Sequence, residues 1–249
     1  MTSTRLAVID TGQVNERILN KDEYRADFRK VEGASLKRTT HLSSPHAKRM
    51  FARCFYSFQA SMYFISQLGR AKLDHEVVER IEQNIREALD AATDEINKAI
   101  DQAEALLKHH SIETLASYDT VPLQEEIGIT SSFGRRYFDL MHKLDIIMPM
   151  METLAIEEII SERELETRRS LYKRVVLSIS TKARNLWMGV RRRMNERDAR
   201  LAAEAAKPRP QAARPAPSTN PDQDGPLAGE APPDQRQRSV NLEFFDTAP

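Results

Sequence analysis

Cysteine is all but missing from this chain of 249 residues, in which Cys54 stands alone. A single thiol excludes an intramolecular disulfide framework and a cysteine-built zinc module, and it points to a reducing compartment, the cytoplasm. Glycine is sparse as well. The eight present fall in neither the GxGxxG nor the GxxxxGK spacing, so no phosphate-cradling loop of either design is expected. No run approaches the roughly 18 uncharged apolar residues that a membrane span requires. Met1 to Asp10 contains no apolar core of a secretory leader. Basic and acidic residues balance at 37 each, so no global charge steers the chain toward an anionic or cationic partner.

Catalytic patterns are missing too. The six histidines, His41, His46, His75, His109, His110 and His142, form no HExxH or CxxC-linked set, and His75 with Glu79 is an ordinary one-turn surface pair. Ser170-Leu-Tyr-Lys173 fits SxxK, yet it lies in a highly charged helical stretch without companion motifs. Neighbouring acids such as Asp94-Glu95 and Glu157-Glu158 point apart on a helix and make no acid–base pair. A protein that is not an enzyme, with no metal and no cofactor, is expected.

What the sequence does contain is helical periodicity. Three regions are predicted: a flexible N-terminal arm over 1–34, a helical domain over 35–206 with two strand–helix units, and a disordered tail over 207–249. Nine of the twelve prolines lie between Pro208 and Pro249, a composition that buries too little apolar surface to offset its ordering entropy. Within that tail, Val240 to Asp246 places Val240, Leu242, Phe244 and Phe245 beside two acids; it is either a solvated end or a peptide that docks on a protein partner.

The first helix should open at Ser44-Pro45, with a hydroxyl cap and proline at the first helical position, and stop at Gly69. A second, over about Leu73 to His109, repeats apolar residues from Val77 to Leu107 at steps of three and four. At about 55 Å it must lean on a long partner helix, lean on another chain or stand in solvent. A third begins near Ser132 and should kink or break at Pro149. The last opens at the capping box Ser161-Glu-Arg-Glu164 and carries an apolar stripe from Leu165 to Leu201. Short alternating segments precede the first and third helices. Leu36 to Ser44 and Leu123 to Ser131 both read as strand followed by hydroxyl cap, and Lys48-Arg49-Met50-Phe51 falls over Arg135-Arg136-Tyr137-Phe138. The basic first strand and acidic second strand could pair by charge across a ladder. The fold class is therefore mainly α: a long-helix bundle with a minor two-stranded β element and a disordered C-terminal tail.

Charge is segregated although it sums to zero. Arg25 to Arg53 holds eight basic residues against two acids, Leu73 to His110 four against ten, Ser111 to Ile160 three against nine, and Ser161 to Lys207 thirteen against six. Either the basic helix lies against the acidic one and the charges pair internally, or the basic groups face phosphate. On the second alternative the candidate DNA-binding residues are Lys37, Arg38, Thr39, His41, Lys48, Arg49, Arg191, Arg192 and Arg193. The first strand would enter the major groove as a ribbon made by a homodimer, with Lys37, Thr39 and His41 projecting to one side.

Three segments carry a family resemblance: Ser43-Ser-Pro-His-Ala-Lys-Arg-Met-Phe51, Ile129-Thr-Ser-Ser-Phe-Gly-Arg-Arg-Tyr-Phe138, and Lys143-Leu-Asp-Ile-Ile-Met-Pro-Met-Met-Glu-Thr-Leu154 through Ser161-Glu-Arg-Glu164. Over about Leu36 to Leu201 the chain resembles the AcaB-like proteins of conjugative plasmids and integrative conjugative elements. That resemblance implies a transcriptional activator of transfer genes related to ribbon–helix–helix DNA binders, with the ribbon on Leu36 to Leu42. One departure is visible in the residues: a ribbon–helix–helix unit has short helices, whereas Ser44 to Leu68 reads as one long helix. The competing function is a helical scaffold or interaction protein of the transfer machinery.

Overall fold

A computed structural model describes residues 34–205; the expectations for the N-terminal arm up to residue 33, for the tail and for the Val240 to Asp246 peptide lie outside these residues. The described part is mainly α, with two strands and four long helices. Strand β1 (Leu36–Leu42) leads into helix α1 (Pro45–Phe64), which continues through a π-helical turn, Ile65–Gly69, and a last α-helical turn, Arg70–Lys72. Helix α2 (His75–His109) follows, then strand β2 (Leu123–Ile129), helix α3 (Ser132–Ile156) and helix α4 (Glu162–Ala205).

The two strand–helix units are built alike. Ser44 caps α1 by accepting from the Ala47 amide at 3.2 Å, and Ser131 caps α3 by accepting from the Gly134 amide at 3.1 Å. Each hydroxyl satisfies one of the amides that a helix start leaves without an internal partner. The offset between units is constant, 123 − 36 = 87 for the strand starts and 132 − 45 = 87 for the helix starts.

Core formation follows from the apolar faces. Phe55 and Phe58 of α1 meet Phe138 and Tyr137 of α3, with the Phe58 and Tyr137 rings 4.3 Å apart, and buried Phe51 stacks on Phe55. Helix α2 buries Val78, Ile85, Leu89, Ile96, Ala103 and Leu107 on one side, the expected 3.6-residue stripe except that it starts at Val78, Val77 being only partly buried. Its length is supported by α3 and by α4, a long partner helix of about 66 Å. Helices α1 and α4 run parallel: Ser57 Oγ lies 3.3 Å from Ser180 Oγ, the Phe64 ring stacks on Trp187, and Lys72 pairs with Asp198 at 2.6 Å.

Several boundaries depart from expectation. The first helix does not stop at Gly69 but runs on to Lys72; the glycine is buried beside Val78 of α2 and Val190 of α4, where a Cβ would make ordinary van der Waals contact with both at 3.5 Å. Helix α3 neither breaks nor ends at Pro149 but runs on to Ile156. The loss of one backbone bond is outweighed by burial of Met148, Met150, Met151 and Leu154 around it. The α4 stripe ends earlier than Leu201. Met194 is its last buried residue and every residue from Asn195 to Ala205 is exposed.

Candidate nucleic-acid interface

The strands form one antiparallel ribbon within the chain, with Leu36 opposite Ile129, Thr39 opposite Glu126 and Leu42 opposite Leu123. This corrects the expectation of a ribbon made by pairing β1 of two copies, since β1 already has β2 as its partner. Register is set by burial: Thr40, Leu42, Leu123, Ile127 and Ile129 face the helices, so the period of two turns Lys37, Thr39, His41, Gln124, Glu126 and Gly128 outward. The expected charge ladder is not formed. Lys37 stands opposite Gly128 and Arg38 opposite Ile127, and no described ion pair joins the strands.

Two polar devices hold the ribbon on the bundle. Asp145 of α3 accepts from the amides of Ser43 and Ser44, at 3.0 and 2.7 Å, where β1 turns into α1. Gln59 of α1, fully buried, donates to the Gly128 carbonyl at 3.0 Å and accepts from the Thr130 amide at 3.1 Å. Glycine is needed at position 134 because a Cβ there would lie 2.6 Å from Gln59 Oε1. Neither Asp145 nor Gln59 carried a local signal in the sequence; both act on backbone about 70 to 100 residues distant, 130 − 59 = 71 and 145 − 44 = 101.

The candidate residues divide into three places. Lys37, Thr39 and His41 are exposed on the outer face of the ribbon, where Gln124 Nε2 lies 3.1 Å from His41 Nδ1. Arg38 is exposed but belongs to the opposite parity, beside His142 of α3. Arg49 is exposed on the second turn of α1. Lys48 is fully buried, and its Nζ donates to the Val121 carbonyl at 2.5 Å and to Thr120 Oγ1 at 3.2 Å. It is an anchor for the α2–β2 connection and faces no surface. Arg191, Arg192 and Arg193 are exposed at the far end of the bundle, level with Gly69, so roughly 35 Å of helix separates them from the ribbon. Lys37, Arg38 and Arg191 to Arg193 therefore do not share one surface.

The alternative in which the basic helix is neutralised by the acidic one is not realised either. Among the described residues no ion pair joins α4 to α2. The α2 acids Glu82 and Asp90 pair with Arg70 and with Arg136 of α3, while Arg169 of α4 bonds Glu152 of α3. Arg192 pairs along its own helix with Glu196 at 3.0 Å. On the ribbon itself Lys37 and Arg38 are balanced by Glu125 and Glu126, leaving a polar face without excess charge. The SxxK pair is also occupied: Ser170 Oγ donates to Glu166 at 3.3 Å, and Lys173 lies 3.9 Å from the same carboxylate.

Two histidines, His46 near the start of α1 and His142 of α3, have lowered pKa values. Burial lowers the pKa of His142, opposed by Asp145 and Asp139. Burial also lowers that of His46, helped by Lys173, Arg169 and Arg49. A depressed histidine pKa in the folded state stabilises the fold above the unfolded value, about 6.5, and that contribution is lost as pH falls. Urea midpoints should drop between pH 7 and pH 5, and the double variant His46→Gln, His142→Asn should flatten that drop.

No helix of the described residues is long and apolar enough to cross a membrane. No family model matches the sequence, and no curated protein matches it. Among solved structures, the crystal structure of selenomethionine-containing AcaB from uropathogenic E. coli is similar, with a TM-score of 0.61, 20% identity, and coverage of 73% of this chain and 93% of that one. At that identity the likeness lies in the architecture, and the chain has an AcaB-like fold.

Proposed function

We propose that this protein is a DNA-binding transcriptional regulator, a non-enzymatic accessory protein of a conjugative or integrative element that acts in the cytoplasm. The observation that carries the proposal is the two-stranded ribbon with an outward polar row of Lys37, Thr39, His41, Gln124 and Glu126. A ribbon of this width enters the major groove, and these side-chain types are the ones that hydrogen-bond base edges. Arg38 and Arg49 are exposed as well and would be the groups that meet phosphate. The AcaB-like fold and the resemblance of the three quoted segments support the same assignment and supply its link to mobile elements.

A mobility-shift assay with element-derived and unrelated duplex at two salt concentrations tests this reading. Duplex should be retained at low salt and released at higher salt. The variant Arg38→Gln, Arg49→Gln should reduce the slope of log K against log salt by about 0.9 for each phosphate contact removed. Failure to bind at low salt would overturn the assignment. The placement of Arg191 to Arg193 far from the ribbon favours a second activity class, a helical interaction or scaffold protein of the transfer machinery. In that case charge reversal at Arg191 and Arg193 would abolish a protein contact while duplex affinity stayed unchanged.

A further inference from the structure

We propose that one chain reads a non-palindromic duplex sequence, and that Gln124 and Glu126 of β2 are specificity-determining residues alongside Lys37; this rests on the DNA-binding reading above. In a ribbon made from two identical strands, the molecular two-fold gives each outward side chain a twin, and the operator mirrors that symmetry. Here the same local two-fold exists in the backbone only. The register pairs Thr39 with Glu126, and the 87-residue offset between the units relates the same two positions, so the pseudo-axis passes between them. Around that axis Lys37 corresponds to Gln124, Thr39 to Glu126 and His41 to Gly128. No outward position carries the same residue twice, and the ribbon is complete without a second copy.

The unlike side chains have unlike preferences. At one end of the ribbon Lys37 lies across Gly128, its ammonium 3.5 Å from where a Cβ would stand, so that end presents a cation and no carboxylate. A lysine there favours guanine, which offers the O6 and N7 acceptors in the major groove. In the middle, Glu126 can accept only from an amino group such as cytosine N4, and the guanine edge repels it. Its central position keeps the carboxylate over the groove floor and away from both phosphate rails. At the other end Gln124, next to His41, matches the donor and acceptor pair of adenine. The ordered preference along one chain is guanine, then cytosine, then adenine, a string that its two-fold rotation does not reproduce.

Selection from a pool of duplexes with a randomised core, using the full chain, tests the proposal. The recovered consensus should be non-palindromic. Gln124→Lys should move the preference at one end from adenine toward guanine by roughly tenfold, and Glu126→Gln should relax the central cytosine preference by a similar factor. Neither position contacts phosphate in this arrangement, so neither variant should reduce the salt slope by the 0.9 or so expected of a lost phosphate contact. Both positions are exposed, and unchanged urea midpoints would show that the variants fold. A palindromic consensus, or one that both variants leave unaltered, overturns the inference. Loss of all duplex retention by the unaltered chain at low salt overturns the DNA-binding reading itself.

Discussion

Replacing Tyr137 by alanine is expected to cost about 3 to 5 kcal/mol, a large part of the roughly 5 to 15 kcal/mol that holds a domain folded. Tyr137 is fully buried, its ring lies 4.3 Å from Phe58, and its hydroxyl donates to the Val176 carbonyl of α4 at 3.0 Å. One side chain thus joins α1, α3 and α4. Truncation leaves a cavity among side chains that cannot all collapse into it. Tyr137→Phe keeps the ring and removes only the hydrogen bond, so it should cost about 1 kcal/mol. Urea unfolding of both variants separates the two contributions. Burial also raises the Tyr137 pKa well above the ordinary tyrosine value, with Cys54 adding to the effect. A raised folded-state value means that the contribution is intact below about pH 10, the unfolded tyrosine value, and lost as pH climbs beyond it.

Lys48→Ala is expected to destabilise the fold by about 3 kcal/mol while leaving the salt dependence of duplex binding unchanged in the folded fraction. The loss comes from the four-carbon stem, which is buried along α1, and from the ammonium bonds to Thr120 and Val121 that hold the connection between α2 and β2. Lys48→Met restores most of the apolar stem and should recover most of the stability. If Lys48→Met instead lowered duplex affinity as the variant Arg38→Gln, Arg49→Gln does, Lys48 would have to be counted among the groups that meet DNA.

These two residues mark the limit of what the sequence made legible. Helix starts at Ser44 and Ser131 were readable because a cap is a bond between residues three apart, and both caps form where the hydroxyls stand. The Ser161 cap was readable for the same reason, with the Glu164 amide donating to Ser161 Oγ at 3.2 Å. Strand–helix repetition was legible through the 87-residue spacing, and mainly helical architecture through the α2 stripe. Strand pairing was not. Opposite charges on β1 and β2 suggested a ladder, but Leu42, Leu123, Ile127 and Ile129 must all face the helices, and that requirement sets the register first.

The charge of Lys48 predicts a surface cation, whereas the side chain is fully buried. Its spacing held the contrary signal, since Lys48, Phe51, Phe55, Phe58 and Met62 recur at three and four residues and all are buried. Gly69 misled in the opposite direction. It resembles a helix stop, yet the helix continues through it to Lys72, packed beside Val78 and Val190 of two other helices, a contact that leaves no local trace. The row Gln124 and Glu126 follows from the alternation of β2 once its apolar residues are placed inward.

Joining both strands in one polypeptide changes how the ribbon responds to dilution. When two separate molecules each contribute a strand, assembly is bimolecular and the ribbon weakens as concentration falls. Here the outermost partners, Leu36 and Ile129, are 129 − 36 = 93 residues apart on the same backbone, so closure is unimolecular. The entropic cost of bringing such distant segments together rises only slowly with their separation. A ribbon of this kind persists at the few copies per cell where a two-molecule ribbon would come apart.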